Sequence, residues 1–195
     1  KTVARVHTGD PAIYGAHREQ MVQLDELGIS YDVVPGVSSF LAAAASMKKE
    51  YTLPGISQTV ILTRMEGRTP VPQIEALAVH QASMAIFLSV GQMDELSSRL
   101  IKGGYPETTP AAVVYKASWE DEKIVTGTLK DIGERVRQEG IRKTAMITVG
   151  RFLGGEFELS KLYDENFSHG YRKAIQESRK PEKEEAENRE AGMER

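Results

Sequence analysis

The feature that most constrains this chain is the run Arg5-Val6-His7-Thr8-Gly9-Asp10-Pro11-Ala12-Ile13-Tyr14-Gly15. Residues 2–7 read as a short buried strand, Gly9, Asp10 and Pro11 as a turn, and residues 12–27 as a helix. A strand that passes through a glycine-bearing turn into a helix is the unit from which open α/β sheets build a ligand edge. Glycine lets a ligand approach the backbone, and the helix start supplies N–H groups. An Asp at this point disfavours a phosphate and suits hydroxyl or ammonium donors, as on a ribose or an amino acid. The blander alternative is an ordinary turn in which Asp10 is a cap.

A second unit of the same kind follows. Residues 29–34 read as a strand, Pro35-Gly36 breaks it, and 37–47 form a small-residue helix whose alanines can pack closely on a sheet. Ser38 and Ser39 stand at its start, where hydroxyls cap free N–H groups. If the two strands are parallel neighbours, both turns lie on one edge, and a ligand site there gains support. Capping and ligand contact are compatible roles for these serines.

Residues 48–56 are polar, contain Pro54-Gly55, and read as a linker and domain boundary. Beyond it, strands are expected at 58–63, 84–89, 111–116, 123–128 and 143–149, and helices at 73–80, 92–102 and 129–138. Residues 119–122 read as a hairpin turn and 152–168 as irregular. From Lys173 the composition turns to Glu, Lys, Arg and Ala, too polar to offset the entropy of ordering. The expected organisation is therefore 1–50 as the C-terminal part of a first α/β domain with a parallel sheet, 51–172 as a second α/β domain with a mixed sheet and helices, and 173–195 as a charged, disordered tail.

Composition narrows the function. Forty per cent of the 195 residues are hydrophobic, enough for the core of one or two ordinary domains. A net charge of -3 gives no global basic field for nucleic acid. There is no cysteine, which excludes disulfides, thiolate metal sites and a Cys nucleophile and fits a cytoplasmic protein. No apolar run approaches the roughly 20 residues that span a bilayer, and no His/Asp/Glu spacing supports a metal site. Between the third strand and the next helix lies Arg64-Met65-Glu66-Gly67-Arg68-Thr69-Pro70-Val71-Pro72. Its two arginines could clamp carboxylates bidentately, or the loop could be an ordinary solvated surface. The chain starts without Met and enters a strand at once, so residues are expected to precede Lys1.

Taken together, Gly9-Asp10-Pro11, Pro35-Gly36-Val37-Ser38-Ser39 and the loop from Thr63 to Pro72 resemble the tetrapyrrole (cobalamin-pathway) methyltransferases, most closely their C11-methylating subgroup. Further landmarks are Gln58-Thr59-Val60-Ile61-Leu62-Thr63-Arg64, Val113-Val114-Tyr115-Lys116-Ala117-Ser118-Trp119, Asp121-Glu122-Lys123-Ile124-Val125, Gly140-Ile141-Arg142-Lys143 and Lys161-Leu162-Tyr163-Asp164. The first two motifs are shared across the superfamily; the loop and the later landmarks point to the subgroup.

The resemblance implies a two-domain enzyme, usually a homodimer, that binds S-adenosylmethionine (SAM) in the cleft between domains. It implies transfer of the SAM methyl group to C11 of a reduced tetrapyrrole at the precorrin-4 or cobalt-precorrin-4 stage, any cobalt belonging to the substrate. By motif position, Thr8, Gly9, Asp10 and Ile13, with Ser38 and Ser39, would line the SAM site. Val90, Ala117 and Ala145 would face it from the second domain. Tyr14 is the expected substrate-facing residue, and Arg64, Arg68, Lys116 and Lys143 are inferred from charge and loop position as clamps for its carboxylates; no catalytic base is identified. The family opens with a Gly-x-Gly-Pro-Gly-Asp loop that this sequence does not contain, so about the first third of the family's chain is expected to lie before Lys1. Two alternatives remain: another precorrin or uroporphyrinogen C-methyltransferase, and a non-catalytic ligand-binding fragment.

Overall fold

The computed structural model describes residues 1–155, 158–160, 166–168, 170–171 and 173. Every element named below lies within Lys1–Phe157, which forms one unit. The expected tail beyond Lys173 and the landmark Lys161-Leu162-Tyr163-Asp164 lie outside the described residues.

Two helices come first, α1 at Arg18–Glu26 and α2 at Ser39–Met47. The order continues with β1 (Val60–Arg64), α3 (Ile74–Ala78), β2 (Ser83–Phe87), α4 (Met93–Lys102), β3 (Pro110–Tyr115), β4 (Lys123–Thr128), α5 (Ile132–Gln138) and β5 (Ala145–Val149). The five strands form one mixed sheet in the order β1-β2-β5-β3-β4. β1 and β2 are parallel, whereas β5 runs antiparallel between β2 and β3, and β3 and β4 form an antiparallel hairpin.

Alternation along the strands separates two cores. On one face Met84, Ile86, Val113, Ile147 and Val149 meet Ile74 of α3, Leu96 and Leu100 of α4, and Ile132 and Val136 of α5. Full burial of each Leu or Ile contributes about 1.5–3 kcal/mol, so this layer anchors the sheet. On the other face Ala85, Phe87, Val114 and Met146 pack with Ala43 and Ala44 of α2, Tyr51 and Phe152. The alanines of α2 therefore act as the sequence suggests, as a smooth face that lies close against a sheet.

The first 50 residues depart from expectation. Residues 2–7 and 29–34 form no strand. A strand is held by hydrogen bonds to a neighbour, and no described segment pairs with either. Val3, Val6 and Val34 are accordingly 87%, 90% and 79% exposed. The helix expected from residue 12 starts six residues later, because residues 11–14 turn and Tyr14 and Ala16 adopt left-handed φ of 54° and 48°. In the mixed sheet the expected strands recur with small boundary shifts. The strand expected at 84–89 stops at Phe87, where Leu88 takes φ 54° and turns the chain.

Candidate functional site

The carboxyl ends of β1, β2 and β3 and the amino end of β5 meet along one edge of the sheet, as the pairs Arg64 with Phe87 and Tyr115 with Ala145 require. Three non-glycine residues bracket strands there in the left-handed region: Leu88 after β2 (φ 54°), Lys116 after β3 (φ 46°) and Thr144 before β5 (φ 59°). Each such residue costs on the order of 1–3 kcal/mol and persists where the surroundings over-determine it, commonly at ligand sites. The Lys116 amide donates to the Thr144 carbonyl at 2.9 Å, which joins two of these turns.

The N-terminal turns lean on the same edge. The Tyr14 ring lies 4.9 Å from that of Phe87, and the Phe40 ring 6.3 Å from it. Ile13 and Ala117 both pack on the Phe87–Met146 core. Gly9 has φ 72°, and a side chain there would point at the Ser38 Cα and Ser39 amide, 3.6 Å away. Gly36 stands so close that a Cβ would come within 2.2 Å of the Gly9 carbonyl oxygen. Asp10 locks the two turns together: its Oδ2 accepts from the Gly36 amide and its Oδ1 from the Ala12 amide, both at 2.8 Å. Those N–H groups, Gly36 foremost, hold the Asp10 carboxyl below its usual value. Asp10 is thus a brace between the turns as well as the residue that closes its own local turn, and it caps no helix, since α1 starts at Arg18.

Ser38 is buried at the N-cap of α2, but the expected hydroxyl cap is not made. Its carbonyl accepts from the Leu41 and Ala42 amides instead. Ahead of them the Ser39 and Phe40 amides have no intrahelical acceptor, and together with the apolar Ile13 and Ala117 packed beside Phe87 they fit a ligand with an anionic end and a flat apolar part. Val90, expected to face the ligand, is instead buried in the turn Val90–Gln92 between β2 and α4, where it packs in the α3–α4–α5 core rather than with Ile13 and Ala117.

The structure sorts the remaining expected residues. Thr8 is exposed beside Gly9. Ala145 packs with Tyr115 on the α3–α4–α5 side, while its neighbour Met146 faces the side of Ile13. The Arg64 guanidinium donates to the Met65 and Thr69 carbonyls, each at 3.0 Å, and to the Thr69 hydroxyl. Lys116 is paired with Asp121 at 2.5 Å and lies 5.1 Å and 5.3 Å from the ring centres of Tyr115 and Trp119. Hydrogen bonding to Asp121 raises its pKa. Arg68 and Lys143 are exposed and have no ion pair among the described residues. Phe87, Met146, Ser89 and Arg99 escape a reading of the sequence, because each matters through contacts made across the fold. The uninterrupted apolar run Met84-Ala85-Ile86-Phe87-Leu88 is the one sequence signal that could have found Phe87.

A mixed sheet whose strand-end turns face a Gly-Asp turn and a helix start places the chain in a known class. The chain belongs to the tetrapyrrole (corrin/porphyrin) methylases, whose family pattern matches residues 1–133. It is 59% identical over 178 residues to the cobalt-precorrin-4 C(11)-methyltransferase of Methanocaldococcus jannaschii, covering 89% of this chain and 69% of that protein. It is 50% identical over 182 residues to the enzyme of the same name from Priestia megaterium, covering 90% of this chain and 70% of that protein. Among solved structures it resembles a cobalt precorrin-4 methyltransferase, described as a cobalamin biosynthetic enzyme, with a TM-score of 0.75 and 51% identity. That match covers 77% of this chain and 64% of the solved one. The chain thus spans about two thirds of the length of these relatives.

Proposed function

We propose that this chain carries out, as the protein or as the larger part of one, SAM-dependent methylation of a reduced tetrapyrrole at C11, on precorrin-4 or cobalt-precorrin-4 in cobalamin biosynthesis. In this reading residues 1–50 close a first α/β domain, residues 51–172 form a second, and the enzyme is a cytoplasmic homodimer. The observation that carries it is the pairing of the Gly9-Asp10 turn with the Gly36-to-Ser39 turn against the Phe87–Ala117 edge.

SAM supplies an activated methyl group, because its sulfonium leaves as the neutral thioether S-adenosylhomocysteine. The enamine-like ring carbon is the nucleophile. Little is left for side chains beyond alignment and exclusion of water. The Ser39 and Phe40 amides and the Gly9 backbone would hold the amino-acid end of SAM, with Ile13 and Ala117 against its flat ring. Tyr14, set on Phe87, would face the tetrapyrrole. Arg68 and Lys143 are free to meet substrate carboxylates, whereas Arg64 and Lys116 act through the loops they brace.

The test is calorimetric titration with S-adenosylhomocysteine, followed by a methyl-transfer assay on precorrin-4 with mass-spectrometric readout of the added 14 Da. One equivalent bound per chain and C11 product are the expected results. Binding without transfer favours a ligand-binding fragment, transfer to a different carbon favours another C-methyltransferase of the class, and no binding overturns the reading. Light scattering of the same sample tests the homodimer.

A further inference from the structure

We infer that Arg99, on α4 and outside every motif that points to the site, is a positioning residue that fixes the 64–72 loop so that Arg68 is presented to an anionic ligand. The inference rests on the functional reading above, in which this sheet edge receives a polycarboxylate.

Arg99 spends its whole guanidinium on two carboxylates. Its Nη1 and Nη2 donate to Glu66 at 2.6 and 2.8 Å, and its Nε and Nη2 to Glu75 at 2.8 and 2.7 Å. Glu95 adds a longer contact at 3.6 Å. Glu66 belongs to the loop and Glu75 to α3, so one side chain of α4 ties both elements. A planar fork that binds two carboxylates bidentately sets direction as well as distance.

The loop is laced from two more sides. At its base, the buried Met65 donates its amide to the Ser89 hydroxyl at 2.8 Å, and that hydroxyl donates to the Phe87 carbonyl at 2.7 Å. This joins the loop to the turn that carries Val90. Across its interior, Arg64 reaches Thr69. Gly67 leaves room for that crossing, since a Cβ there would stand 3.3 Å from Arg64 Nη1. Of the cations here, Arg64 and Arg99 point their donors into the loop and its supports. Arg68 is the exposed arginine of the loop and has no ion pair or hydrogen bond among the described residues. A fixed loop presents that charge without the ordering cost that a mobile one incurs on binding.

The test uses the full chain, with Arg99→Met, Arg99→Lys, Arg68→Ala and the Arg99→Met/Arg68→Ala double variant. S-adenosylhomocysteine affinity reports an intact fold. Uroporphyrin, an octacarboxylate, is the anionic probe, and hydrogen exchange of the 65–71 amides reports the loop. Arg99→Met should speed loop exchange and weaken uroporphyrin binding by about tenfold, with S-adenosylhomocysteine affinity unchanged. Arg68→Ala should weaken uroporphyrin equally with the loop still protected, the double variant should be no weaker than Arg68→Ala, and Arg99→Lys should fall between Arg99→Met and the parent. Unchanged loop exchange in Arg99→Met, or losses that multiply in the double variant, overturns the inference. If Arg99→Met destabilises the chain, Glu66→Gln cuts the same tie from the loop side, and unchanged loop exchange in it likewise overturns the inference. Failure of the parent chain to bind S-adenosylhomocysteine overturns the functional reading instead, and a parent that binds S-adenosylhomocysteine but not uroporphyrin overturns the recognition role alone.

Discussion

Asp10 and Gly36 are 26 positions apart, yet one carboxylate oxygen and one amide hold their two turns together. The local half of this arrangement is legible in the sequence, because an Asp two residues before an amide it can accept from makes an Asx-type turn. The long-range half is not, since nothing in the spacing says which distant amide Asp10 meets. Gly36 has the more demanding environment. Gly36→Ala would drive a methyl group to within 2.2 Å of the Gly9 carbonyl oxygen, so the turns must separate. The predicted cost is about 1–3 kcal/mol in stability and, through displacement of the Gly9 backbone, on the order of tenfold or more in S-adenosylhomocysteine affinity. Thermal denaturation and calorimetry on the variant check both; an unchanged melting temperature and Kd would show that the close approach is not needed.

At the scale of elements, the strands of the mixed sheet were readable because their apolar runs are short and end in turn residues. β4 begins and ends where the sequence places it, at Lys123–Thr128. The strands expected at 2–7 and 29–34 show the limit of such reading: an apolar run states a preference, and a ladder needs a partner. Loops depend on contacts of a different kind. The 64–72 loop reads as a solvated or clamping surface in the sequence, whereas the structure ties it to β2 through Ser89, which is 1% exposed. Ser89→Ala leaves the buried Met65 amide without its acceptor, a loss of about 1–3 kcal/mol. The expected signature is a lower urea midpoint, together with faster hydrogen exchange confined to the loop and the Val90–Gln92 turn. Protection spread evenly over the sheet, or unchanged at the loop, would show that Ser89 does not tie it.

For the described part of the molecule as a whole, the order β1-β2-β5-β3-β4 is what gathers the site. The last strand inserts between β2 and β3 and brings Thr144 beside Lys116, an arrangement no local pattern in the sequence reveals. The same long-range assembly sets an acid limit through Arg99. Its hydrogen bonds depress the Glu75 carboxyl from the ordinary 4.5 to about 2 and lower that of Glu66 as well. A carboxylate whose pKa is lower folded than unfolded contributes stability in full above its unfolded value, and loses it as pH falls through its folded value, because the unfolded chain binds the proton first. The tie between α4, α3 and the loop is therefore expected to be intact at neutral pH and to weaken between pH 4.5 and about 2. Glu75→Gln removes the titrating group. The parent chain should be the more stable of the two at pH 6, and the gap in urea midpoints should close as pH falls toward 3 and below. A gap that is constant with pH would mean that Glu75 acts through packing rather than charge, and that the guanidinium of Arg99 is held by Glu66 alone.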